Sequence, residues 1–262
     1  MNALITGING FVGSHLAELL LAKGFHVGGT IRKNANTERI AHLMDSLTLF
    51  ECDFTKPHEL RNLIRAAMPE RIYHLAASAF VPDAYENPFG AFQINFYGTY
   101  LLLEVIRGLN IAPRILIVSS AAVYGQVGEK DLPLSEEHPL KPVCLYGVTK
   151  ASADMLAYQY FQNFGLPIIR ARSFNHTGPG QKRRFVCSDF AAQIASIELH
   201  RHKPEIQVGN LLAERDFTDV RDVVEAYYLL LERGIPGEAY NVAKNESYSV
   251  HYILYFLLAL SI

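Results

Sequence analysis

The sequence predicts an α/β fold: a doubly wound parallel sheet followed by a smaller C-terminal substrate-binding lobe. Three observations carry this. Apolar runs of strand length alternate with segments of helical spacing as far as about Arg172. The chain opens on a strand, Ala3 to Thr6, a glycine turn, Gly7-Ile8-Asn9-Gly10-Phe11-Val12-Gly13, and a helix from Ser14. The next apolar strand, Phe25 to Ile31, follows directly after Lys23-Gly24, as a right-handed β-α-β unit requires.

Composition bounds the reading. A chain of 262 residues, half of them hydrophobic and 19% charged, buries a sizeable core and excludes bulk disorder. A net charge of −2 gives no electrostatic footprint for nucleic acid. Cys52, Cys144 and Cys187 are far apart and form no C-x-x-C, so reduced thiols and a cytoplasmic location are expected. No signal peptide is visible, and the apolar stretch Tyr252 to Ile262 is too short to span a bilayer.

Each element follows in order. The opening turn is a candidate pyrophosphate cradle made by Gly7, Asn9, Gly10, Phe11, Val12 and Gly13. Glycine lets the backbone approach the phosphates, and the helix N-terminus offers free N–H groups and positive potential. The plain alternative is a strand–turn–helix corner without a ligand. The second strand ends at Ile31, where an acidic residue would hold the ribose 2′-hydroxyl of NAD. Arg32 follows instead and suits a 2′-phosphate, so the expected cofactor is NADP, with NAD as the alternative.

Leu47 to Cys52 reads as the third strand and leads into Asp53-Phe54. Asp53 is either an adenine contact or a turn residue ahead of Pro57. A helix to about Ala67 precedes the fourth strand from Arg71, whose exit, Leu75-Ala76-Ala77, is small enough for a cofactor to lie against it. His74 reads as a packed strand histidine. Phe89 to Gly108 reads as one long helix containing Asn95, Pro113 to Ser120 as the fifth strand, and Pro142 to Gly165 as a second long helix. Pro167 to Arg172 completes a cofactor domain, residues 1–172. Residues 173–262 form the lobe, with segments around 216–242 packing back on the first domain. Within the lobe the expectations are a turn-rich loop at Thr177 to Gln181, a helix, and a short strand at Glu205 to Val208. A helix from Asp219 to Arg233, a strand at Ala239 to Val242 and a core-facing helix from Tyr252 follow. His200 and His202 read as exposed and find no third ligand, so no metal is expected.

Tyr146-Gly147-Val148-Thr149-Lys150 carries the chemistry. Positions i and i+4 share a helix face, and a nearby ammonium favours phenolate, making the tyrosine a candidate general acid or base. Ser120, at a strand's carboxyl end, is placed to bond the same substrate oxygen.

With these residues the chain resembles the extended short-chain dehydrogenases/reductases, the nucleotide-sugar epimerase/dehydratase/reductase family. The likeness rests on Gly7, Gly10 and Gly13; Asp53-Phe54; His74 to Ala77; Asn95 to Thr99; Ser119 to Gly125; and Tyr146 to Lys150. It implies a Rossmann-type cofactor domain and a Ser120–Tyr146–Lys150 triad. Lys150 would also hold the nicotinamide ribose, and Asn95 would support the site. Arg172 to Gln181, Val208 to Leu211 and Arg215 to Asp222 resemble members that act on GDP-linked 6-deoxy sugars. That likeness implies reduction of a 4-keto group to give GDP-rhamnose, with Val81, Ser120, Asn175, Gln181, Val186, Asn210 and Arg215 at the substrate. It also implies a homodimer through the long helices. Dehydratases of the family carry an acid two residues after the serine or threonine; Ala121 and Ala122 stand here, which disfavours water loss. A 4-epimerase retaining NAD, a GDP-mannose 4,6-dehydratase and a non-catalytic dinucleotide-binding protein are the other readings. Members usually extend beyond this C-terminus, so a shortened chain with an incomplete sugar pocket is expected.

Overall fold

Seven strands lie parallel in the spatial order Leu47–Glu51, His26–Ile31, Asn2–Thr6, Arg71–His74, Arg114–Val118, Ile168–Ser173 and Ala239–Val242, so the chain winds outward in both directions from its first strand. The structure is a computed structural model and describes residues 2–261. In chain order the first half comprises β1 (Asn2–Thr6), α1 (Phe11–Ala22), β2 (His26–Ile31), β3 (Leu47–Glu51), α2 (Pro57–Ala67), β4 (Arg71–His74), α3 (Val81–Glu86), α4 (Pro88–Phe92), α5 (Gly98–Gly108) and β5 (Arg114–Val118). It continues with α6 (Leu145–Phe164), β6 (Ile168–Ser173), β7 (Asn175–Thr177), α7 (Val186–Glu198), β8 (Glu214–Asp219), α8 (Val220–Arg233), β9 (Ala239–Val242), β10 (Ser247–Ser249) and α9 (Val250–Ala259).

The central strands are continuously apolar because both faces of the sheet are covered. Side chains alternate between two cores: Ala3, Ile5, Tyr73 and Leu116 enter one, while Leu4, Ile72, Ile115 and Ile117 enter the other. The first core is closed by Leu16 and Leu20 of α1 and by Tyr227 and Leu231 of α8. The second is closed by Leu60 and Ile64 of α2, Leu102 and Ile106 of α5, and Ala157 and Tyr160 of α6. Each of these leucines and isoleucines contributes roughly 1.5–3 kcal/mol by leaving water. Strands β7, β8 and β10 form a separate small sheet, parallel between β7 and β8 and antiparallel between β8 and β10. Both α8 and β9 therefore serve the main sheet although they come late in the chain.

Three expectations need correction. Glu205 to Val208 is irregular, not a strand. The side-chain amide of Gln193 satisfies the Gln207 backbone on both sides, accepting from its N–H at 2.7 Å and donating to its carbonyl at 3.1 Å, so no ladder partner is needed. The strand of this region lies further on, at Glu214–Asp219. The expected single helix from Phe89 to Gly108 is interrupted by a π-helical turn, Gln93–Tyr97, around Asn95. The terminal helix is not core-facing: Val250 is its buried residue, and Tyr255 and Leu260 are 66% and 67% exposed. Ile262, included in that expectation, lies outside the described residues.

Candidate active site

The cradle forms where β1 stops. Gly7 has φ +71°, and a Cβ there would lie 3.2 Å from Ala76 Cα at the exit of β4. A Cβ on Gly13 would lie 2.5 Å from the Gly7 carbonyl oxygen, so the first turn of α1 sits directly on the loop. Gly10 caps α1 without any side-chain hydrogen bond. The first-turn amides at Phe11, Val12 and Gly13 thus face outward at the positive end of a twelve-residue helix. Asn9 Nδ2 donates to the Asn36 carbonyl at 2.9 Å, tying the loop to the segment after β2. Phe11 stacks on His176 with centroids 6.2 Å apart, and His15 Nε2 lies 2.9 Å from the Pro179 carbonyl. Ser119 Oγ, at the end of β5, is buried without a hydrogen-bond partner among the described residues. An uncapped helix end, a surface a Cβ would fill and an orphaned buried hydroxyl all fit a dinucleotide.

On the adenosine side, Arg32 is exposed directly after β2. Asp53 accepts bonds from Thr55 N at 2.9 Å and Thr55 Oγ1 at 2.7 Å, which hold its carboxyl below the ordinary range. It makes a turn, the plainer of its two readings. Phe54 stacks on His74 at 5.7 Å. Leu75, Ala76 and Ala77 leave β4 half-buried.

Ser120 caps the 3-10 turn Ala121–Val123, its Oγ accepting from Ala122 N at 3.2 Å. Cys144 caps α6, its sulfur accepting from Gly147 N at 3.3 Å. Tyr146 and Lys150 then lie one turn apart on α6, and the Ser120 side chain is near enough to the Tyr146 hydroxyl to favour its ionised form. Lys150 Nζ donates to the Val118 carbonyl at 2.8 Å. The structure thus brings the three expected residues together at the carboxyl edge of β5. It corrects the expected electrostatics: burial pushes the Tyr146 phenol up to about 12, and the nearby Ser120 side chain only partly opposes it. Burial likewise pushes the Lys150 ammonium down to about 8. The lysine aims at a backbone carbonyl rather than at the phenol, and desolvation is the largest cause of both shifts.

A buried polar chain behind the site was not foreseen. Thr6 Oγ1 accepts from Leu75 N and Ala76 N, each at 3.0 Å, which leaves its proton for His74 Nδ1 at 2.9 Å. Thr99 Oγ1 donates to the Asn95 carbonyl at 2.8 Å, so it accepts from His74 Nε2 at 3.0 Å. The bonds therefore fix a neutral imidazole protonated at Nε2, and burial with the charge of Lys150 pushes its pKa down to about 3. Asn95 continues the chain: Oδ1 accepts from Ser78 N at 2.8 Å, and Nδ2 donates to Thr149 Oγ1 at 2.9 Å. Thr149 donates to the Tyr146 carbonyl at 2.8 Å. Asn95 thus joins the β4 exit to the helix carrying Tyr146, a place only tertiary contact reveals.

The expected substrate residues divide. Val81 and Val186 open α3 and α7, and their neighbours meet: the Phe80 and Phe185 rings lie 5.5 Å apart and Arg184 Nη1 bonds both Asp83 oxygens. Asn175 is exposed on β7. Arg215 is exposed on β8 and donates to the Glu214 carbonyl at 2.6 Å; Asp216 instead accepts from Lys244, Asn245 and Glu246 N–H groups. Two residues are engaged locally. Gln181 is held by Thr177, Ser188 and the His176 carbonyl, and Asn210 Oδ1 accepts from Leu212 N at 3.0 Å. Among the described residues no group of three or more His, Cys, Asp or Glu could hold a metal ion.

A dinucleotide cradle at the switch point of a doubly wound sheet, with serine, tyrosine and lysine converging beside it, defines the class: an NAD(P)-dependent oxidoreductase. The family model for GDP-mannose 4,6 dehydratase matches residues 4–257. The GDP-6-deoxy-D-mannose reductase of Pseudomonas aeruginosa is 35% identical over 256 residues, 97% of this chain and 78% of the relative. The GDP-mannose 4,6-dehydratase of Vibrio cholerae is 32% identical over 259 residues, 95% of this chain and 68% of the relative. Among solved structures, RMD from Pseudomonas aeruginosa complexed with NADPH superposes with a TM-score of 0.85 at 33% identity, covering 99% of this chain and 82% of that one. The chain belongs to the NAD(P)-dependent epimerase/dehydratase family, in its GDP-mannose 4,6-dehydratase branch.

Proposed function

We propose that this protein reduces the 4-keto group of a GDP-linked 6-deoxy sugar, using NADPH. The observation that carries the reading is the Ser120–Tyr146–Lys150 convergence beside a turn, Ala121–Val123, that contains no proton-transfer side chain. A bound nicotinamide supplies the hydride. Ser120 orients the carbonyl oxygen by hydrogen bonding, and Tyr146, protonated at neutral pH, donates its proton to that oxygen as negative charge develops. Lys150, anchored on Val118, supplies positive charge beside the ribose position. In this reading Arg215 and Asn175, exposed on adjoining strands, bind the substrate diphosphate, which guanidinium binds in a bidentate manner.

The preference for NADPH rests on Arg32 standing where an acidic residue would select NAD. The GDP-linked substrate is supported by the likeness to the Pseudomonas reductase. A homodimer is supported by the outer faces of α5 and α6, which expose Tyr100, Met155, Tyr158 and Phe164. Among the described residues no helix is long and apolar enough to cross a membrane, and the three cysteines are unpaired, which supports a cytoplasmic site of action.

The test is NADPH oxidation with GDP-4-keto-6-deoxy-mannose. Turnover in the wild type and a loss of about 10²–10⁴-fold in Tyr146→Phe, with NADPH binding retained, is the expected result. Tight NADPH binding without turnover on this substrate would refute the reductase reading.

A further inference from the structure

The structure holds a buried charged cluster that the proposed chemistry does not use. Asp154 is fully buried on α6, one turn beyond Lys150 and on the same stripe as Tyr146. Arg172 on β6 is 5% exposed and grips it, through Nε to Oδ2 at 3.0 Å and Nη2 to Oδ1 at 3.1 Å. Arg170 Nη1 adds a third bond to Oδ1 at 2.8 Å. The remaining amino group of Arg172 turns the other way. Its Nη1 donates to Tyr124 Oη at 3.1 Å and to the Glu136 carbonyl at 2.7 Å.

Tyr124 is four residues beyond Ser120, immediately after the 3-10 turn that Ser120 caps. It is 1% exposed, its ring lies 5.3 Å from the Arg172 guanidinium carbon, and its hydroxyl donates to Asn241 Oδ1 at 2.7 Å. One guanidinium therefore spans the gap between the helix that presents Tyr146 and the turn that presents Ser120. The two pieces also touch directly: a Cβ on Gly147 would lie 2.6 Å from the Ala122 carbonyl oxygen. Close backbone contact sets the separation, but it does not fix how the turn rotates against the helix. The planar fork of Arg172, bonded to a carboxylate on one side and a phenol on the other, does.

We propose that Arg172 and Tyr124 are positioning residues that hold Ser120 facing Tyr146. The catalytic consequence rests on the reductase reading; the geometric claim does not. Neither residue lies at the reacting atoms, and both act through Ser120. A displacement of the serine of about 1 Å is enough to cost on the order of 10²-fold in rate.

The test combines kinetics with crystallography of the full chain. In Tyr124→Phe we expect kcat to fall about 10- to 100-fold with KM for NADPH changed by less than about twofold. The double variant Ser120→Ala/Tyr124→Phe should be no slower than Ser120→Ala, since the tyrosine acts through the serine. Arg172→Lys, which keeps the charge and loses the fork, should show the same pattern as Tyr124→Phe. Crystal structures of the wild type and of Tyr124→Phe should show Ser120 Oγ displaced by about 1 Å relative to the Tyr146 hydroxyl in the variant. Effects that simply multiply in the double variant, or an unchanged Ser120–Tyr146 separation in the two crystals, overturn the proposal. A wild-type chain inert toward the keto sugar overturns the functional reading alone, and the crystal structure then decides this one.

Discussion

Lys150 sets an alkaline limit on activity. Its ammonium is buried and donates to the Val118 carbonyl, and burial brings it from 10.5 down to about 8. That displacement corresponds to roughly 3 kcal/mol favouring the neutral form. Tyr146, pushed up to about 12, stays protonated and ready to donate throughout the working range. In the direction of reduction, raising the pH therefore removes the lysine charge first. The quantity to measure is kcat/KM for NADPH between about pH 6 and 10, because it reports the free enzyme. It should be flat to about pH 7, halve near pH 8, and stand at roughly a tenth by pH 9, with a limiting slope of one decade per unit. Lys150→Arg supplies the control. Arginine remains charged, so the variant should be slower at every pH yet show no limb near 8. A wild-type profile level to pH 9.5, or a limb that persists unchanged in Lys150→Arg, would refute the assignment of charge to this residue.

Two further outcomes bear on the cradle and its support. Gly13→Ala places a Cβ 2.5 Å from the Gly7 carbonyl oxygen; NADPH at about 100 times the wild-type Kd stabilises the native protein by about 2.7 kcal/mol, and the variant should lose that thermal shift entirely. His74 is neutral in the fold with a pKa near 3, against about 6.5 in the unfolded chain. The unfolded chain thus binds the proton first as pH falls, so stability drops from about pH 6.5 toward 3, by roughly 2–3 kcal/mol at pH 4.5. Urea unfolding at pH 7 and 4.5 should show the gap between wild type and His74→Gln narrowing by about that amount; a constant gap would show that the imidazole is not held neutral.

What the sequence made legible was whatever is local or periodic. The strands of the main sheet and the glycine turn could be read because their residues are consecutive. Tyr146 and Lys150 could be read because helical spacing alone puts them on one face. The small sheet was less visible: β7 and β10 are three residues each, too short for a period to show, and exist through pairing with β8. The irregular path at Gln207 depends on a side chain fourteen residues earlier, a contact no propensity encodes. The shifts at Tyr146 and Lys150 also escaped, because spacing reports which charges are near but not how far each is from water. Arg172 illustrates the same limit. In the sequence it is the end of an apolar strand, and its partners stand 18, 36 and 48 residues away.

The choice between reduction and water loss turns on proton capacity rather than on fold, which both kinds of relative share. Reduction of a ketone needs one proton delivered to one oxygen, and Tyr146 holds one. Elimination needs more: a base to remove a proton from carbon and an acid to protonate the departing hydroxyl. The turn after Ser120 runs Ala121-Ala122-Val123 and offers neither. His74 is nearby, but both ring nitrogens are committed to Thr6 and Thr99, and burial keeps it neutral. His176 lies against Phe11 at the cradle, its Nδ1 bonded to the Phe174 carbonyl. Tyr146 and Lys150 remain, enough for a hydride step with its single proton. Introducing a carboxylate at Ala122 would supply the missing group in the place where the family's dehydratases carry it. The side chains around Ser120 therefore weigh against water loss where overall likeness is divided between two activities.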